Sequence, residues 1–187
     1  MGRALIGPAL IGPVLVAHTA QVEPHVLDSV RRLLDEAFAG DFDDDDFEHA
    51  LGGMHALVHD GGELVGHGAV VQRRLLHRGR SLRAGYVEAV AVAAGRRRQG
   101  IASMVMAALE RVVRSAYDLG ALSSSTAGAP LYDARGWVRW EGPTSVLAPD
   151  GVRPTPEDDG SVHVLPGTVQ LDLHGELTCD WRAGDVW

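Results

Sequence analysis

One succession, strand then small-residue turn then helix, constrains this chain more than any other feature. The apolar run at residues 86–92 is followed by Arg97-Arg98-Gln99-Gly100-Ile101-Ala102. That stretch opens a helix whose residues Ile101, Val105, Ala108, Leu109, Val112 and Ala116 share one face. A turn of this kind gathers unpaired backbone N–H groups at the positive end of a helix dipole, which makes it an anion site. Gly100 and Ala102 leave room for a pyrophosphate to approach the main chain, and Arg97 and Arg98 add positive charge. Further on, Leu131-Tyr132-Asp133-Ala134-Arg135-Gly136-Trp137 places a tyrosine on a short helix, with Pro130 at its start and Gly136 past its end. A dinucleotide site is the natural competitor. It requires Gly-x-Gly-x-x-Gly and an acidic residue about 20 positions on, and the chain carries neither. Each piece alone is common; their order is what carries weight.

The chain has 187 residues, 45% of them hydrophobic, which suits one domain with a single mixed core. A net charge of −8 argues against nucleic acid and anionic membrane surfaces as partners and points to cationic ones. All 17 basic residues are arginine. The lone Cys179 has no internal disulfide partner, which fits a reducing, cytoplasmic setting. At the N-terminus, Ala4-Leu5-Ile6-Gly7-Pro8 is repeated as Ala9-Leu10-Ile11-Gly12-Pro13. Arg3 and this apolar run resemble a signal peptide, but the two Gly-Pro pairs break the helix such a segment needs. The reading is a flexible leader over residues 1–13 and one domain over 14–187.

A first strand is expected at residues 14–18, then a helix with Pro24 in its first turn and Val26, Leu27, Val30, Leu33, Leu34 and Ala37 at helical spacing. Residues 41–48 hold six acids in eight positions. Strands follow at 56–59 and 64–71 around the hairpin turn Asp60-Gly61-Gly62, and another at 83–92 after Arg78-Gly79. The helix after the loop is expected to stop near Gly120, with strands at 121–126, 144–147, 161–165 and 169–173 beyond. This is an α/β (α+β) arrangement: a mixed, mainly antiparallel central sheet flanked by helices.

The loop and the tyrosine together resemble the Gcn5-related N-acetyltransferases (GNAT), whose cofactor loop reads Gln/Arg-x-x-Gly-x-Gly/Ala. The resemblance implies that the backbone edges of Val90, Ala91 and Val92 and the loop residues Arg97, Arg98, Gln99, Gly100, Ile101 and Ala102 hold acetyl-CoA, with Tyr132 as the acid for the leaving thiolate. Such chemistry also needs a base. Glu88 lies in an apolar strand, where an unpaired carboxylate is costly, and this singles it out. The acidic stretches 41–48 and 157–159 flank the core in sequence. Folded over one mouth they would steer a polycation in; solvated separately they would do nothing specific. His55 and His59 on a strand would stand about 13 Å apart, too far for a shared metal. Ser123, Ser124 and Ser125 lack a nucleophile elbow, leaving one of them as a substrate contact at most.

Several blocks resemble one branch more closely. Phe38-Ala39-Gly40-Asp41-Phe42, Gly85-Tyr86-Val87-Glu88, Leu119-Gly120-Ala121-Leu122-Ser123-Ser124-Ser125, and Cys179-Asp180-Trp181-Arg182-Ala183-Gly184-Asp185-Val186-Trp187 are similar to the aminoglycoside 2′-N-acetyltransferases, as are residues 48–56 and 142–149. The resemblance implies aminoglycoside contacts at Asp41, Asp46, Glu88, Ala89 (main chain), Ser123, Glu157, Asp158 and Trp187, the last through its carboxylate. It also implies a homodimer, and no metal. Ala89 departs from the glycine usual there, adding a methyl beside the substrate. An acetyltransferase for another cellular amine is the alternative reading.

Overall fold

A computed structural model describes residues 11–187; the first ten residues of the expected leader lie outside them. Ile11 packs on the core, and the Gly12 N–H donates to the His59 carbonyl at 3.2 Å. Four strands meander in order: β1 (Leu15–His18), β2 (Met54–Asp60), β3 (Glu63–His77) and β4 (Arg80–Val92), each antiparallel to the next. The β2–β3 and β3–β4 loops are two residues long. Gly61, Gly62, Arg78 and Gly79 all take positive φ, the hand that matches the strands' twist.

Helices α1 (Pro24–Phe38) and α2 (Asp44–His49) lie between β1 and β2, and α3 (Ile101–Ala116) follows β4. Then come β5 (Leu119–Ser123), α4 (Ala129–Asp133), β6 (Val138–Arg139), β7 (Thr144–Ala148), β8 (Gly151–Pro154), β9 (Val162–Leu165) and β10 (Leu177–Asp180). The strands form one mixed sheet in the order β6-β9-β5-β4-β3-β10-β7-β8, with β2 and then β1 on the other half of the β3 edge. The β4–β5 and β10–β7 pairs are parallel and the remaining pairs antiparallel. This is the expected class.

Helix α3 closes on β3 because two glycines admit it. A Cβ at Gly66 would stand 2.4 Å from Ile101 Cγ2, and one at Gly68 would stand 2.8 Å from Val105 Cγ1. The α3 face packs with Val58, Val87 and Leu122 in one core cluster, while Val30, Leu33 and Leu34 of α1 meet Leu57 and Ala91 in another. Burying a leucine such as Leu34 contributes about 1.5–3 kcal/mol.

Two expectations change. Helix α3 ends at Ala116, with extended Tyr117 as its cap, and Gly120 lies inside β5 instead of stopping the helix. There it serves close packing, since a Cβ would come within 2.9 Å of the Trp137 ring. Residues 169–173 form no strand. Val169, Leu171 and Leu173 do pack on the core, but from a loop in which the Leu173 carbonyl accepts the Glu141 and Gly142 N–H groups. The strand in this region is β10, four residues long and inserted between β3 and β7.

Candidate active site

The end of β4, the following loop, α3 and α4 enclose a cavity of about 410 Å³. Of the expected cofactor residues, Val90, Ala91, Val92, Arg97, Arg98, Gly100, Ile101 and Ala102 line it; Gln99 does not, and its amide donates to the Gly95 carbonyl at 3.3 Å. Arg98 and Gly100 take φ values of 59° and 83°, so the loop folds back on itself before α3 begins. No side chain caps the α3 N-terminus, which leaves its first-turn N–H groups open to an anion. Arg96, absent from the sequence reading, pairs with buried Asp60 at 2.6 Å and ties the loop to the end of β2.

Tyr132 is 9% exposed and lines the same cavity, packed edge-on against Trp137. Burial pushes its phenol up to about 12, so it carries its proton at neutral pH and can donate to a thiolate. Helix α4 is too short to hold itself, and the segment around it is pinned from α3. Glu110 accepts from Arg135 Nε at 2.7 Å, Arg135 Nη2 at 2.8 Å and Trp137 Nε1 at 3.1 Å.

Upstream of the cavity β4 bulges. The β3–β4 register slips between His67 and Ala69, and Ala89 takes φ 52°. A left-handed residue with a Cβ costs about 1–2 kcal/mol. Beside the bulge, the Glu88 carboxylate is paired with Arg182, each side chain 14% exposed. Burial pushes the Glu88 carboxyl above the usual range, opposed by the positive charges of Arg182 and Arg73 and by His49. Arg182 is the partner that a carboxylate in an apolar strand requires. Its Nε donates to the Asp185 carbonyl at 2.7 Å, and its guanidinium lies 5.5 Å from the Tyr86 ring. Arg73 lies 4.7 Å from the same ring and pairs with Asp180 at 2.8 Å.

The acidic stretch builds the N-terminus of a helix. Asp43 caps α2 through a reciprocal box with Asp46, each carboxylate accepting the other's N–H at 3.0 Å. Asp41, Asp43 and Asp46 then line a hollow of about 280 Å³ together with Asp185. His49 joins α2 to the C-terminal segment through the Ala183 carbonyl at 2.9 Å. On the other side, burial and the negative charges of Glu157, Asp185 and Asp159 push the Asp158 carboxyl up to about 6. Asp185 thus lines the hollow of one acidic stretch, and its charge bears on Asp158 of the other; it lies inside the quoted C-terminal block, where nothing in the sequence singles it out.

Ser123 is exposed at the end of β5 and donates to Ser161 at 3.0 Å. Glu157 is exposed in the turn after β8. The Trp187 indole is a core group: it is 5% exposed and donates to Thr155 Oγ1 at 3.0 Å. Buried Cys179 donates to the Val186 carbonyl at 3.3 Å. Among the described residues no three His, Cys, Asp or Glu side chains are grouped to hold a metal ion, and no helix is long and apolar enough to cross a membrane.

Comparison with known proteins agrees with this geometry. Residues 20–139 match the family description "Acetyltransferase (GNAT) domain". The chain is 54% identical over 176 residues to an aminoglycoside 2′-N-acetyltransferase of Mycolicibacterium fortuitum, covering 92% of this chain and 90% of that one. Among solved structures, the GNAT family N-acetyltransferase YhbS of Escherichia coli, in complex with CoA, superposes with a TM-score of 0.60 at 16% identity, covering 94% of this chain and 92% of that one. Escherichia coli ElaA superposes with a TM-score of 0.59 at 15% identity, covering 83% and 99%. At such identities the two structures speak for the fold alone. The chain belongs to the GNAT acetyltransferases and, within them, to the family of the aminoglycoside 2′-N-acetyltransferases.

Proposed function

We infer that this enzyme transfers the acetyl group of acetyl-CoA directly to the 2′-amine of aminoglycoside antibiotics and thereby confers resistance to them. One observation carries the reading. The bulged end of β4 has an anion-ready loop and a protonated tyrosine on one side, and on the other Glu88 paired with Arg182, which in turn holds Asp185 of the acidic hollow lined by Asp41, Asp43 and Asp46. The first half suits a thioester bearing a pyrophosphate. The second suits a polycationic sugar, which carboxylates both attract and order by charge-assisted hydrogen bonds.

In this reading Arg97, Arg98 and the open N–H groups of α3 hold the pyrophosphate, and the edges of Val90, Ala91 and Val92 align the pantetheine. Asp41, Asp46, Asp158 and Asp185 hold the drug's ammonium groups, with Ser123, Glu157 and the Ala89 main chain at the rim. Nearby carboxylates raise the pKa of the amine to be acetylated, so its proton must be removed at the site. Glu88 takes that proton, directly or through water. The nitrogen forms its bond to the acetyl carbon as the carbon–sulfur bond breaks, the Tyr132 hydroxyl supplies hydrogen bond and proton to the departing sulfur, and the second proton shed by the acylated nitrogen returns through water to the phenolate. The reading brings with it a homodimer and a cytoplasmic setting.

The test is thiol release from acetyl-CoA by the full chain with tobramycin, with the product weighed by mass spectrometry. Addition of one acetyl group at the rate of thiol release is expected. Drug-independent thiol release, or an unmodified drug, overturns the reading.

A further inference from the structure

Two histidines on the sheet are wholly buried and have no part in the chemistry above. His55 on β2 and His67 on β3 are both 0% exposed, and their rings meet at 3.0 Å, Nδ1 to Nε2. At one end, His55 Nε2 lies 2.8 Å from Thr19 Oγ1. At the other, His67 Nδ1 lies 2.9 Å from the carbonyl oxygen of Ala89, the left-handed residue of the β4 bulge.

The direction of every proton in this chain is dictated from its Ala89 end. A carbonyl only accepts, so His67 Nδ1 carries the hydrogen and Nε2 is bare. His55 must then donate from Nδ1, which leaves its own Nε2 bare and makes Thr19 the donor. Thr19 can serve: its hydroxyl oxygen accepts the Gly52 N–H at 2.9 Å, and of the two acceptors in reach of its hydrogen, His55 Nε2 at 2.8 Å is nearer than the Gly53 carbonyl at 3.2 Å, which already receives the Thr19 N–H at 2.9 Å. Burial first, and the neighbouring imidazoles second, hold both rings below the ordinary histidine range, so both are neutral near pH 7.

The Ala89 carbonyl belongs to the same rigid peptide plane as the Val90 N–H, and in a trans peptide the two point in opposite directions. Fixing the carbonyl towards His67 therefore turns the Val90 N–H away from it, at the first residue of the strand edge lining the cavity. The bulge takes Ala89 out of register with β3, where a buried carbonyl needs another donor. A glycine would hold φ 52° without strain; an alanine has to be held there.

We propose that His67, locked in one tautomer by His55 and Thr19, is a positioning residue for acetyl transfer that sets the Ala89–Val90 peptide plane at the β4 bulge. This rests on the acetyl-transfer reading above.

The test has two arms. Nitrogen-15 NMR of the full chain should show both buried rings as neutral Nδ1–H tautomers between pH 5.5 and 8; an Nε2–H tautomer or a charged ring overturns the relay whether or not variants fold. In thiol-release kinetics with tobramycin, His67→Leu should lower kcat at least fivefold with KM for acetyl-CoA within threefold. His67→Asn, which returns an N–H donor, or Ala89→Gly added to His67→Leu, which removes the strain, should recover at least half of that loss on a logarithmic scale. A smaller fall in kcat, a loss carried by KM, or a loss that neither change relieves overturns the positioning role. If the wild-type chain releases no thiol, the acetyl-transfer reading and the positioning role fail together, and the tautomers still decide the relay.

Discussion

Replacing Glu110 by glutamine should destabilise the protein by about 3 kcal/mol, at the lower end of the 3–5 kcal/mol range for removing one partner of a buried ion pair. The carboxylate accepts three hydrogen bonds, two from the Arg135 fork and one from the Trp137 indole, and its side chain is 9% exposed. Glutamine keeps one acceptor but turns an NH₂ group towards a guanidinium that only donates, and removes the charge opposite it. The 18% exposure of Arg135 lets water take up part of the loss, which is why the lower figure applies. For a chain of this length the cost corresponds to a fall in Tm of about 6–12 °C, at about 2–4 °C per kcal/mol. Urea unfolding followed by circular dichroism, run as a double-mutant cycle with Arg135→Gln, measures the coupling. A destabilisation below about 1 kcal/mol would refute the view that this carboxylate anchors the Tyr132 segment to α3.

Three other outcomes are expected. His55 and His67 are held near 4 and 3, below the ordinary 6.5, so between about pH 4 and 6.5 these two rings bind up to two more protons in the unfolded chain than in the native one, opposed by the raised carboxyls of Asp158 and Glu88. The two rings contribute a loss of stability of up to about 2.7 kcal/mol per pH unit as pH drops below about 6.5, and His67→Asn should remove about half of that contribution; urea midpoints of wild type and variant at pH 5, 6 and 7 check this, and equal pH dependence in the two contradicts it. Arg182→Gln should move the acid limb of kcat/KM to higher pH, because Arg182 lowers the Glu88 carboxyl that must be ionised to act, and Glu88→Gln should abolish that limb; an unmoved limb in either variant removes Glu88 as base. Tyr132→Phe should cut kcat about 10²-fold or more while leaving drug affinity by calorimetry within threefold, the scale at which a positioned proton donor acts; a tenfold smaller effect would make the phenol a packing group.

The parts of this architecture built from local pattern could be read in the chain. The β2–β3–β4 meander announces itself through Asp60-Gly61-Gly62 and Arg78-Gly79 between apolar runs, and α1 and α3 through their apolar periodicity. The loop 97–102 is likewise a local signal, and eight of its nine cofactor positions, counted with Val90, Ala91 and Val92, line the cavity. Contacts between distant segments leave no such trace. Arg182 meets Glu88 across 94 positions and Asp60 holds Arg96 from the far end of β2, so Arg182 and Arg96 look like ordinary charged residues in the sequence. The His55–His67 contact is hidden for another reason: each histidine falls within an apolar strand, and only the β2–β3 register brings the rings together. The four residues of β10 are too few to show a period, whereas residues 169–173 alternate without laddering because their backbone turns to serve Glu141 and Gly142.

The most direct test of the central claim compares tobramycin, which carries an amine at C2′, with kanamycin A, which carries a hydroxyl there, in thiol release from acetyl-CoA. Rapid release with tobramycin and little with kanamycin A is predicted, with the new acetyl group located on the 2′-nitrogen by NMR of the product. Equal rates with the two drugs, or acetylation at another amine, would contradict it.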